Sequence, residues 1–199
     1  AETLGFIHIN TGAMYRGIAL KCIQQKIDLE NKGVLEKILG ETTFQFSEKN
    51  GSGLFMDGQN ISDEIIRAEV TGSVSNISTI PVVRERLVEY QREMAEGQDV
   101  VLEGRDIGTV VFPNADYKFF LVADLQERAK RRIKEMKAKG VLLELEELTY
   151  ALEERDRKDS TREHSPLKKA EDAVEIDTTG LNIEDQVRCI VEIVNKSKK

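Results

Sequence analysis

Val100-Val101-Leu102-Glu103-Gly104-Arg105-Asp106 runs from three apolar residues straight into a glycine between charged neighbours. A continuous apolar run is how a strand reads when both of its faces are covered, as in a parallel sheet. Phe6-Ile7-His8-Ile9 and Tyr117 to Val122 have the same texture, and Val174-Glu175-Ile176-Asp177 reads as the last strand. Helical spacing fills the stretches between: Ala13 to Gln25, Asp28 to Leu39, Ile66 to Ile77, Pro81 to Glu96, Leu125 to Lys139, Leu145 to Arg155 and Ile183 to Asn195. Apolar strands alternating with helices define an α/β fold with a parallel sheet. Residues 40–66 differ. Thr42-Thr43-Phe44-Gln45-Phe46 alternates, Leu54-Phe55-Met56 follows, and Asp57-Gly58 is a hairpin signal, so a small antiparallel insertion is expected there.

The chain has 199 residues, 40% hydrophobic and 33% charged, with three prolines, which fits one globular body with a real core. Its net charge of -7, from 36 acidic and 29 basic residues, argues against general adhesion to nucleic acid or anionic membrane. No apolar run approaches a membrane span. Cys22 and Cys189 match no metal spacing and read as buried free thiols of a reducing cytoplasm. His8 and His164 do not supply a histidine-rich zinc site, and His8 reads as a core or edge histidine.

In a parallel α/β sheet, ligands sit at the carboxyl ends of the strands. That rule gathers residues 10–16, 103–106 and 123–132 at one edge. Thr11-Gly12-Ala13-Met14-Tyr15-Arg16 opens a helix, where an anion, a hydroxyl donor and an arginine can meet. An ordinary cap with a surface arginine would read the same. Glu103-Gly104-Arg105-Asp106 offers close backbone approach, a phosphate clamp and an acceptor. A solvated turn with an internal Arg105–Asp106 pair is the plainer alternative. Arg155, Asp159 and Arg162 share a face if the chain there is helical, as a segment closing over phosphates requires, although residues 156–165 also read as a solvated polar end. Arg128, Arg131 and Arg132 follow a strand and can face a nucleotide donor or pair with Glu127 and Glu135. Composition gives no reason to select Arg67, Ser75 or Arg84.

With those segments in view, the sequence closely resembles the bacterial cytidylate kinase family along essentially its whole length. The resemblance rests on residues 10–16, Asp57-Gly58, residues 61–67, the stretch Glu103 to Pro113 and the stretch Arg155 to Arg162. It implies a three-layer P-loop kinase-like fold with a parallel central sheet, a small antiparallel monophosphate-binding insertion and a helical lid. It implies a core of residues 1–39 and 86–199, an insertion at 40–85 and a lid at 144–165. The activity implied is transfer of the γ-phosphoryl group of ATP to CMP or dCMP, with Mg²⁺, by a cytoplasmic monomer. Ser75, Arg84 and Asp106 match the family's cytosine-recognising positions. Thr11, Tyr15, Arg16, Arg67 and Arg105 match the wall around the monophosphate and sugar. Arg155, Asp159 and Arg162 match the catalytic lid, while Arg131 and Arg132 are the residues expected on the donor side from their place on the helix after a strand.

Two departures stand out. Asn10 replaces the aspartate that members commonly carry before the hydroxyl residue and glycine. No glycine-rich phosphate loop occurs in the chain, and Ala1-Glu2-Thr3-Leu4-Gly5 reads as the end of a helix. About 25 residues of strand, loop and helix are expected before it, with the hydroxyl that holds Mg²⁺, so no metal ligand is expected within these residues and the chain as it stands is expected to be inactive. A monophosphate kinase with another base preference, or a non-catalytic nucleotide-binding protein without the loop, remains open on the residues alone.

Overall fold

The computed structural model describes residues 1–47, 53–138 and 140–197. They form two compact units, Ala1–Ile107 and Gly108–Lys199.

The first unit opens with a single 3₁₀ turn, Glu2–Leu4, closed by Gly5 at φ 69, where a side chain would be strained. Strand β1 (Ile7–Asn10) leads directly into helix α1 (Thr11–Gln24). The helix starts two residues earlier than the apolar spacing predicts. Its cap is Asn10, whose side chain accepts from the Ala13 N–H at 2.8 Å. Helix α2 (Lys32–Glu41) starts later than expected, because Asn31 caps it while Asp28 closes a separate turn by accepting from the Glu30 N–H. Strands β2 (Phe44–Phe46), β3 (Leu54–Met56) and β4 (Gln59–Asn60) form the expected antiparallel sheet. Asp57 and Gly58 both have positive φ, 52 and 79, as the tight turn between β3 and β4 demands.

Helix α3 (Ala68–Ile77) and helix α4 (Pro81–Ala95) follow, the latter with proline in its first turn. Strand β5 (Val100–Glu103) then pairs in parallel with β1, Ile9 opposite Leu102 and Asn10 opposite Glu103. The core of this unit is one cluster in which Ile9, Met14, Ile18, Leu35, Val70 and Leu87 are almost fully buried. Gly17 lets α1 press on the small sheet: an added Cβ would lie 2.8 Å from Phe44 and 3.2 Å from Ile61. Lys21 adds an ion pair to Asp57 at 2.6 Å and a hydrogen bond to the Thr42 hydroxyl.

A π-helical turn at Ile107–Val111, unforeseen in the sequence, begins on the last residue of the first unit and continues into the second. Strand β6 (Phe119–Val122) pairs in parallel with β7 (Val174–Asp177). Helix α5 (Leu125–Ala138) and helix α6 (Leu145–Thr161) lie between them in sequence, and helix α7 (Ile183–Ser197) closes the unit. Helix α6 runs six residues beyond the predicted end at Arg155. The polar stretch stays helical because its charges fall at i,i+3 and i,i+4 spacing, as in Glu154–Arg157 and Arg155–Asp159. The apolar residues of this unit that are buried, among those described, are Val111, Ala129, Ile176 and Val194. The stripe expected on α7 is only partly covered, since Ile183 and Val187 are exposed. Cys22 is buried, whereas Cys189 is only half-buried, a correction to its expected burial. No helix among the described residues is long and apolar enough to cross a membrane.

Candidate active site

The carboxyl ends of β1 and β5 lie side by side, so Asn10 and Glu103 face each other where α1 begins. Thr11, buried in the first turn, donates its hydroxyl hydrogen to the Glu103 carbonyl at 2.7 Å. Gly104 permits this junction: an added Cβ would overlap the Thr11 hydroxyl and come within 2.7 Å of Ile107. A hydrogen bond from His8, whose Nε2 lies 3.4 Å from Oε1, holds the Glu103 carboxyl below the usual carboxylate range against the opposing effect of burial. The charge of Arg16 and a hydrogen bond from Asn10 act in the same direction.

Asp106, 6% exposed, makes a close ion pair with Arg84 of α4, itself 5% exposed. The alternative of a self-contained Arg105–Asp106 turn in solvent therefore does not describe Asp106. Arg84 also donates to the Ser78 carbonyl at 3.1 Å, just past the end of α3, and its guanidinium stands 5.7 Å from the centre of the Tyr15 ring. Helices α1, α3 and α4 and the loop after β5 are thereby tied at one cation. Ser75 is half-buried on α3, one turn before Ser78, whose hydroxyl donates to the Ser75 carbonyl. Arg105 is half-buried, and Arg67 is exposed immediately before α3.

A buried arginine at this place was not legible from composition, yet it left a trace. Arg84 shares the face of α4 that carries Leu87, Val88 and Gln91, all buried. It also sits in the first turn, where a cation is disfavoured by the helix dipole. A cation on the apolar face at the wrong end of a helix signals a buried acid nearby.

In the second unit, Asp159 is 6% exposed and lies between two arginines, 3.8 Å from Arg155 and 3.9 Å from Arg162. Arg162 also donates to the Ser165 carbonyl at 2.6 Å. Arg131 donates to the Thr178 carbonyl at 2.7 Å and lies 3.9 Å from Glu127, while Arg132 pairs with Glu135 at 3.1 Å. Arg128 pairs with neither Glu127 nor Glu135 but reaches Asp156 of α6. No cluster of three or more His, Cys, Asp or Glu side chains that could hold a metal occurs among the described residues.

A family model described as Cytidylate kinase matches residues 1–196 of the chain. A protein of Pediococcus pentosaceus named Cytidylate kinase is 45% identical to it, over 100% of this chain and 88% of its own length. Proteins of the same name from Caldanaerobacter subterraneus subsp. tengcongensis and Geobacillus thermodenitrificans are 44% and 46% identical, over 100% and 98% of this chain and 88% of each relative.

Proposed function

We infer the function from one premise: this chain belongs to the cytidylate kinase family. It is an ATP-dependent transferase that moves the γ-phosphoryl group of ATP to CMP or dCMP, giving the diphosphate and ADP. The observation that carries the substrate assignment is the buried Arg84–Asp106 pair beside Tyr15.

Cytosine presents an amino donor next to ring acceptors. A carboxylate that accepts from the amino group and a guanidinium that donates to the acceptors match that edge, with the Ser75 hydroxyl as a further partner. Uracil would turn a carbonyl oxygen toward the carboxylate and leave buried polar groups mismatched, the strongest form of discrimination available to a pocket. Thr11, Tyr15, Arg16, Arg67 and Arg105 are assigned to the sugar and monophosphate. In this reading residues 40–85 act as the acceptor-binding insertion and residues 144–165 as the lid.

Phosphoryl transfer needs alignment and charge neutralisation rather than a protein nucleophile. Arg155 and Arg162 would neutralise charge that develops on the transferring group, with Asp159 holding both guanidinium groups in place. Arg131 and Arg132 are assigned to the donor side. Mg²⁺ bound with a nucleotide usually takes one or two carboxylates and keeps several waters. The role of holding the ion is assigned to the hydroxyl of the family's phosphate loop, and no metal ligand is assigned among the described residues. When bound, Mg²⁺ neutralises charge on the phosphates. The protein is proposed to act as a cytoplasmic monomer.

The test is turnover of CMP, dCMP, UMP and AMP by the full-length protein and its Asp106→Asn variant. CMP is expected to be preferred, and kcat/KM for CMP to fall about 10- to 200-fold in the variant, the range for losing a charged hydrogen bond. An unchanged CMP to UMP ratio would overturn the assignment. Arg155→Ala is expected to lower kcat by about 10³, and full retention of kcat would remove the lid role.

A further inference from the structure

We propose that Arg128 is a positioning residue for phosphoryl transfer, acting through Asp156 to fix how α6 presents Arg155, Asp159 and Arg162. The proposal rests on the lid role given above to those three residues.

Helix α5 is anchored. Ala129 is fully buried, Asp124 accepts from the Gln126 and Glu127 N–H groups at the start of the helix, and Arg131 is fastened to the Thr178 carbonyl. Helix α6 packs along α5, with Leu148 and Leu152 half-buried. Its buried residue among those described is Asp159, while Leu145 and Tyr150 are exposed. The Arg155–Asp159, Arg157–Glu154 and Arg162–Asp159 pairs join near neighbours in sequence. They stiffen the helix along its own length.

Arg128 adds a charged link between the two helices. Its Nη1 donates to the Asp156 Oδ2 at 2.5 Å, and the two side chains are 31% and 26% exposed. Asp156 directly follows Arg155, about 100° around the helix. Pinning Asp156 to an anchored neighbour therefore sets the rotation of the face that carries the two arginines. A shift of about 1 Å in a charge-stabilising group is enough to cost about 100-fold in rate.

The test uses the full-length protein with Arg128→Gln, Arg128→Lys, Asp156→Asn and the Arg128→Gln/Asp156→Asn double variant. Arg128→Gln and Asp156→Asn are each expected to lower kcat about tenfold, with KM for CMP and ATP within about twofold of the parent. The double variant should be no worse than either single change. Arg128→Lys, which keeps the charge, should recover most of the rate, and the amides of α6 should exchange faster in Arg128→Gln than in the parent. Additive losses, or a raised KM for ATP with unchanged kcat, would overturn the proposal, the second by showing that Arg128 touches the donor itself. Should a Gln variant fail to fold, an Arg128→Lys protein with parental exchange and a tenfold lower kcat would also overturn it. Arg155→Ala separates the two readings: if it keeps full kcat, the lid role fails, and if it loses activity while Arg128→Gln does not, only the positioning role fails.

Discussion

Asp106 and Asp159 are equally hidden, each 6% exposed, and each is approached by arginine, yet the two carboxylates are held in place by different forces. Asp106 and Arg84 lie in a unit built around a continuous apolar cluster, and Arg84 shares the buried face of α4 with Leu87. Asp159 lies on a helix that buries no other described residue. Nonpolar packing fixes the first pair before any ligand arrives. Charge fixes the second, and charge is what a phosphate brings. The pair assigned to the acceptor base is thus preorganised, while the one assigned to the transferring phosphate is open to competition by a phosphate.

The largest expected break in this contrast is Asp106→Ala. It strands a buried guanidinium and should cost about 3–5 kcal/mol in chemical denaturation. Arg84→Met combined with Asp106→Leu should restore most of that stability while leaving CMP turnover abolished. Arg155→Ala, by contrast, should cost no more than about 1 kcal/mol. Equal losses for Asp106→Ala and Arg155→Ala would erase the distinction.

Gly104→Ala comes next. The Cβ has no room beside Thr11 and Ile107, so the strand end must shift, at about 1–3 kcal/mol, with kcat/KM for CMP falling alongside. A variant with parental stability and activity would show that the junction yields freely.

Salt should separate the units without mutation. At 1 M salt the screening length is about 3 Å. Amides of residues 145–161 should then exchange several-fold faster while those of residues 11–24 hold their rates, read by hydrogen exchange. Uniform acceleration would deny that α6 depends on charge.

The smallest effect concerns Asp57. Burial pushes its carboxyl up, but the Lys21 hydrogen bond and the Thr43 N–H outweigh it and leave the carboxyl below its usual range. A depressed folded-state value contributes stability above the unfolded-state value of about 3.9 and loses it as pH falls through the folded one. The stability gap between the parent and Asp57→Asn should be level above about pH 5 and close below about pH 4. A gap that persists at pH 2 would remove Asp57 from the account.

Much of the fold was legible because it is local. Val100–Leu102 announced a parallel strand, although it is half-buried rather than covered on both faces, Asp57-Gly58 announced the hairpin, and Pro81 opened α4. The helix starts at Thr11 and Lys32 were missed because a capping asparagine, rather than apolar spacing, decides them. The end of α6 was missed because ion pairs extend a helix through residues that read as loop. The π-helical turn after Asp106 has no period short enough to see in sequence. Of the candidate site, the phosphate-suited segments were visible as charges beside strand ends. The partners were not. Arg84 with Asp106 and Arg128 with Asp156 lie 22 and 28 residues apart, and pairing over such spans is set by packing that no local pattern records.

The two thiols have a practical consequence. Burial raises the Cys22 thiol above its usual value and keeps it out of reach, whereas Cys189 stands half-exposed on α7. A maleimide reagent should therefore modify one position and leave the other untouched. A dye placed that way would sit in the second unit, reporting on its behaviour with no cysteine having to be engineered in or out.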